Sequence, residues 1–150
     1  MSIASLERED WYKLYAQIPA KQNVEVNISC PNVNENTDVL FGLDLWPRTN
    51  RRWCIIKVPP IIEHKTIDIL VEKGYNQIHA SNTLPTEKGG LSGKIIAPYT
   101  LGIISFLKEN YPHVEVIAGG GVTDQFSRDR YLDAGADHIS LGSVCFTPWR

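Results

Sequence analysis

What constrains this chain most is a rhythm: short apolar segments recur along it, and helical spacing fills the stretches between them. Val24 to Ser29, Cys54 to Val58, Gln77 to Ser81, Val114 to Ala118 and His138 to Gly142 are the strand candidates. Several are nearly unbroken apolar runs, as parallel strands covered on both faces tend to be. Between them, Lys65 to Lys73 carries Ile67, Leu70 and Val71 on one face and stops at Gly74, a residue free to take the left-handed backbone that closes a helix. Pro98 opens a segment carrying Leu101, Ile104 and Leu107, and Thr123 can cap another that ends at Gly135. Ahead of these, Ser5 to Gln17 sets Trp11, Leu14 and Tyr15 on one side with charges opposite, an amphipathic helix that Pro19 ends.

The unit repeats. Gly74-Tyr75-Asn76-Gln77-Ile78 and Gly135-Ala136-Asp137-His138-Ile139 both read as helix stop, short turn and buried strand. Strands alternating with helices imply parallel pairing, in either an open doubly wound sheet or a (β/α)8 barrel. The five strand candidates are too few to close an eight-stranded barrel, so the choice falls to the residues that carry chemistry. At 150 residues the chain is expected to form one domain, 1–150.

Composition removes several function classes. Hydrophobic residues make up 43% and charged residues 21%, and the formal net charge is -2, which suits an ordinary globular protein and gives no basic patch for nucleic acid. Met1 to Asp10 has neither the apolar core of a signal peptide nor transit-sequence character, and no later run is long enough to span a bilayer. A cytoplasmic protein without a membrane partner is expected. The 3 cysteines form no close pair and the 4 histidines show no zinc-like spacing, so neither a disulfide framework nor a structural metal is expected.

In parallel α/β folds the working residues sit just beyond the C-terminal ends of the strands, and here each of those ends is chemically unusual. After the first comes Asn27-Ile28-Ser29-Cys30-Pro31-Asn32. Amides offer donors and acceptors to a flat ring bearing C=O and N–H groups, and a thiol can abstract a proton once ionised. The same residues also read as a buried cysteine before a turn. Lys57 ends the apolar run Cys54-Ile55-Ile56, which suggests a charged partner or, equally, a lysine reaching to the surface. Ser81-Asn82-Thr83 supplies another amide, and Gly89-Gly90-Leu91-Ser92-Gly93 reads as a glycine-rich loop able to approach a ligand with its backbone. The fourth strand ends in Gly119-Gly120-Gly121 before the helix begun by Thr123, and the fifth in Gly142-Ser143. Two such turns in successive units favour a phosphate site over a purely structural role.

In this order and spacing, Asn27 to Asn32, Ile56-Lys57-Val58-Pro59-Pro60, Ser81-Asn82-Thr83, Gly90-Leu91-Ser92-Gly93, the glycines near Gly120, and Ala134-Gly135-Ala136-Asp137 with Gly142-Ser143 resemble the dihydroorotate dehydrogenases of the soluble, cysteine-base class. The resemblance spans Val24 to about Pro148 and covers only the C-terminal portion of that family. It implies a partial (β/α)8 TIM barrel, about its last five strands, and an FMN-dependent oxidation of dihydroorotate to orotate. By the same resemblance Cys30 is the proton-abstracting base and Lys57 the residue beside the flavin ring. Asn27, Asn32 and Asn82 hold the pyrimidine, while Ser81, Gly93, Gly120, Gly121, Gly142 and Ser143 join Lys57 in holding the FMN. The segment from Val33 to Trp53 shows no clear amphipathic helix, and Leu84 to Lys88 is short for a lid. A half-barrel exposes strand edges that pair with other chains, so a homo-oligomer or an assembly with the missing barrel half is expected. The alternatives are a non-catalytic barrel remnant serving as an interaction module and a related dihydropyrimidine dehydrogenase-type flavin domain.

Overall fold

The computed structural model describes residues 1–5, 7, 9–29, 40–47, 50–81, 83–86 and 89–146. In chain order its elements are β1 (Ser2–Ile3), α1 (Asp10–Gln17), β2 (Val24–Asn27), a 3-10 turn (Leu43–Leu45), β3 (Cys54–Val58), α2 (His64–Glu72), β4 (Gln77–Ala80), β5 (Leu84–Thr86), β6 (Gly89–Leu91), α3 (Ala97–Asn110), β7 (Glu115–Ala118), α4 (Gln125–Asp133) and β8 (His138–Ile139). A 6-stranded sheet runs in the order β1-β2-β3-β4-β7-β8, and every pairing within it is parallel. Strands β5 and β6 form a separate antiparallel hairpin.

Alternation along the strands divides this sheet into two unlike faces. Val24, Val26, Ile56, Val58, Ile78, Ala80, Val116 and Ala118 are buried on one of them. Trp11 of α1, Ile67 and Leu70 of α2, Ile103, Ile104 and Leu107 of α3 and Tyr131 of α4 belong to the same apolar core. Helix α1 docks by aromatic edges: the Trp46 ring meets Trp11 at 6.2 Å and Tyr15 at 5.4 Å. The other face carries the polar and charged side chains of the strands, with Ile55 and Ile117 among them.

The sheet also curls. Trp53, just before β3, and His138, which opens β8, lie in an edge-on ring contact at 5.3 Å, although β4 and β7 stand between those strands. In a flat sheet, strands so ordered would lie about 14 Å apart. The polar face is therefore the concave interior of a partial barrel, with the helices outside.

The two repeated helix stops close in the same way. Gly74 (φ 101°) and Gly135 (φ 105°) take the left-handed backbone. Gly74 N–H donates to Val71 and Tyr75 N–H to Leu70, while Gly135 N–H donates to Leu132 and Ala136 N–H to Tyr131. This paired bonding satisfies carbonyls that a helix end leaves orphaned.

Four sequence expectations change. The N-terminal edge carries β1, so the sheet has one strand beyond the five expected; Ser2-Ile3 is too short to show as an apolar run. Helix α1 starts at Asp10 rather than Ser5. The expected loop from Gly89 is instead half of a hairpin, because Leu84–Thr86 pairs with Gly89–Leu91. The cap of α4 is Asp124, not Thr123: Asp124 accepts from Ser127 N–H while Ser127 Oγ accepts from the Asp124 N–H, a reciprocal capping box.

Candidate functional site

Strand register sets the order of side chains on the concave face. One row runs Asn27, Lys57, His79, Ile117 and His138 across β2, β3, β4, β7 and β8. The row beneath it contains Ser2, Glu25 and Ile55 on the first three strands and Gln77 and Glu115 on β4 and β7. Asn27 and Lys57, assigned to substrate and flavin by family resemblance, are thus immediate neighbours, with His79 on the far side of Lys57.

Glu25 is the electrostatic centre of these rows. Ser2 Oγ donates to its Oε1 at 2.7 Å, and its Oε2 lies 2.7 Å from His79 Nδ1, reached across β3. Burial works to raise its pKa, yet the hydrogen bonds from His79 and Ser2 and the charge of Lys57 prevail and hold the carboxyl at about 2. A carboxylate only accepts, so His79 Nδ1 carries the hydrogen of this bond. His79 is 4% exposed. Its Nε2 and the Oγ of fully buried Ser81, two residues further along the strand, have no partner among the described residues. Asn27 is committed on one side: its Oδ1 accepts from Ser29 N–H at 2.9 Å and from Ser29 Oγ at 2.6 Å. What Asn27 offers a ligand is its NH2 group.

At the strand tips the glycine turn after β7 is held from behind by two helices. Thr100 Oγ1 of α3 donates to the Gly119 carbonyl at 3.1 Å, and Tyr131 Oη of α4 to the Gly120 carbonyl at 2.6 Å. In a trans peptide the following N–H points opposite to the carbonyl, so the Gly120 and Gly121 N–H groups face away from those helices. They border a pocket of about 210 Å³ lined also by Thr83, Ser92, Gly93, Ser140 and Gly142. Gly121 (φ 75°) permits a close approach as well, since a Cβ there would stand 2.7 Å from the Gly93 carbonyl oxygen. The N-terminus of α4 contributes less than its position suggests. Its cap is the carboxylate of Asp124, held below its ordinary pKa first of all by the hydrogen bond from Ser127 N–H.

Of the residues singled out from the sequence, Asn27, Lys57 and Ser81 belong to the β2–β4 side of this concave end, and Gly93, Gly120, Gly121 and Gly142 line the one pocket. Cys30, Asn32 and Asn82 lie outside the described residues, as does the side chain of Ser143. Cys54 is no competitor for chemistry, because burial pushes its thiol up to about 11. Sequence reading passed over Glu25 and His79. The signal was the alternation Gln77, His79, Ser81, which sets polar groups on a single face of an otherwise buried strand. A larger cavity of about 520 Å³, bordered by Met1, Asn23, Trp53 and His138, lies at the opposite ends of the strands. In a closed barrel that interior is filled by side chains.

No family model matches the chain. Among curated proteins it is similar to the catalytic subunit of dihydroorotate dehydrogenase B (NAD(+)) of Thermotoga petrophila, 32% identical over 142 residues, a match covering 82% of this chain and 53% of that protein. The dihydroorotate dehydrogenase (quinone) of Dichelobacter nodosus is 31% identical over 155 residues, covering 83% of this chain and 46% of the relative. Among solved structures, the crystal structure of DHODH from Eimeria tenella in complex with ferulenol superposes with a TM-score of 0.72 at 16% identity, over 93% of this chain and 49% of that one. The chain spans about half the length of the relatives it matches. Among the described residues, no helix is long and apolar enough to cross a membrane.

Proposed function

We propose that this chain, a relative of the dihydroorotate dehydrogenases over 82% of its length with the fold of a partial (β/α)8 barrel, acts as the substrate- and flavin-facing part of an FMN-dependent oxidoreductase that converts dihydroorotate to orotate. The observation that carries the reading is the register that sets Asn27 beside Lys57 on the concave face. The glycine-lined pocket at the same end supports it.

The residues fit FMN in two respects. A phosphate suits the pocket at Gly93, Gly120, Gly121 and Gly142, where backbone N–H groups are available to an anion. The polar atom of Ser81, buried without a partner among the described residues, is what a polar ring nearby would satisfy. FMN bound there would supply the hydride acceptor. Cys30, as thiolate, takes the proton from the ring carbon next to the carbonyl, and the substrate carbon beside it gives up the hydride. Asn27, Asn32 and Asn82 hold the pyrimidine ring in place. Lys57 would present a fixed positive charge to the bound ring system, an electrostatic role that a neutral residue cannot fill.

Purified protein should be yellow, or become so when FMN is added, and should reduce an electron acceptor when given dihydroorotate. A colourless protein that does not take up FMN would refute the reading. Cys30→Ala should abolish turnover at neutral pH while leaving FMN absorbance in place. Because β1 and β8 are the outermost strands of the sheet among the described residues, the active form in this reading is a homo-oligomer or a complex with a chain that supplies the remaining barrel strands. Its mass in solution, measured by light scattering, would then exceed that of one chain.

A further inference from the structure

We propose that His79 is a further ligand-contacting residue, its Nε2 accepting a hydrogen bond from a ring N–H of the molecule seated over Asn27 and Lys57. This rests on the flavin and pyrimidine reading above and adds to it a recognition element.

Three observations meet at this residue. His79 is the in-register neighbour of Lys57, which is the in-register neighbour of Asn27, so a flat ring long enough to touch both comes within reach of the imidazole. The ring is held by one nitrogen only, with Nδ1 2.7 Å from Glu25 Oε2 and Glu25 anchored in turn by Ser2. The other nitrogen, Nε2, is buried without a partner among the described residues. A buried polar atom left unpaired is unfavourable, and a ligand that supplies the missing donor is bound more tightly for it.

The row also has a definite chemical order. Asn27 presents its NH2 group because its oxygen is engaged by Ser29. Lys57 is a donor only and makes no hydrogen bond or ion pair with another described residue. With a hydrogen fixed on Nδ1 by the Glu25 carboxylate, His79 Nε2 is the acceptor of the neutral imidazole. Donors beside an acceptor match a ring edge with C=O next to N–H, the pattern of a cyclic amide or imide. Both the flavin ring and a pyrimidine such as orotate carry that edge, so the two ligands are arms of one test.

The full chain, labelled with 15N-histidine, is titrated separately with FMN and with orotate, and affinities are compared for the parent, His79→Phe and His79→Gln. With the ligand that makes this contact, the Nε2 resonance of His79 should move toward the hydrogen-bonded range on saturation. His79→Phe should bind that ligand about tenfold more weakly, and His79→Gln, whose amide oxygen is again an acceptor, should stay within about threefold of the parent. The resonance is read on the parent, so the result does not depend on whether a variant folds well. FMN or orotate binding that leaves the resonance unmoved and is as tight in His79→Phe overturns this assignment and leaves the flavin reading intact. A parent chain that binds neither compound removes both.

Discussion

The two faces of the sheet are built from alternate residues of the same strands and answer to different demands. On the helix side, β3 offers Cys54, Ile56 and Val58, all buried; on the concave side the same strand offers Ile55 and Lys57, both half-exposed. The first set resembles the inside of any parallel α/β domain and is held by packing alone. Around the second set, the concave face is held by a few hydrogen bonds that join Ser2, Glu25 and His79, and it keeps polar atoms in reserve. The contrast teaches that stability and chemistry are separated here by one residue step.

That separation can be broken by substitution. The largest expected effect is on the packed face: Ile56→Ala, at a fully buried site, should lower unfolding stability by about 2–5 kcal/mol. Ile55→Ala, one residue away, should lower it by less than about 1.5 kcal/mol, as measured by urea denaturation. Equal losses would erase the distinction between the faces.

The polar face should reveal itself through pH. Glu25 titrates at about 2 in the folded chain against an ordinary value of 4.5. A depressed carboxyl contributes stability that is fully present above the unfolded value and is lost as pH falls from about 4.5 toward 2. The contribution is at most about 3 kcal/mol, and Glu25→Gln should flatten the acid limb of a plot of denaturation midpoint against pH.

Smaller changes probe the strand tips. Gly121→Ala meets both a positive φ and the Gly93 carbonyl, which should cost about 1–3 kcal/mol. It should weaken FMN uptake more than it weakens the fold, when dye absorbance and circular dichroism are followed together. Asp124→Ala removes the α4 cap, with an expected loss of about 1 kcal/mol in thermal unfolding and no change in FMN affinity.

Much of this architecture was legible in the residues, and the reasons are physical. Strands covered by helices need apolar residues on at least that face, so β2, β3, β4, β7 and β8 announced themselves near their true places, and Gly74 and Gly135 marked helix stops because few other residues take that backbone. What escaped were features decided by which partners a residue meets in the fold. Ser2–Ile3 is a strand only because β2 lies beside it. Thr123 and Asp124 are both competent caps, and Ser127 decides between them. Asn27 and Lys57 stood out as unusual residues at strand tips, whereas Glu25 and His79 became visible only when register and curl brought them 2.7 Å apart across an intervening strand.

The matching closures after α2 and α4 have a consequence beyond capping. Each delivers the chain into the next strand after a fixed number of residues, and side chains on a strand change sides at every step. One residue added or removed between Gly74 and Gln77 would rotate His79 out among the helices and turn Ile78 toward the axis. These two glycines act as phase locks: by setting when a strand begins, they decide which half of its side chains a ligand ever meets.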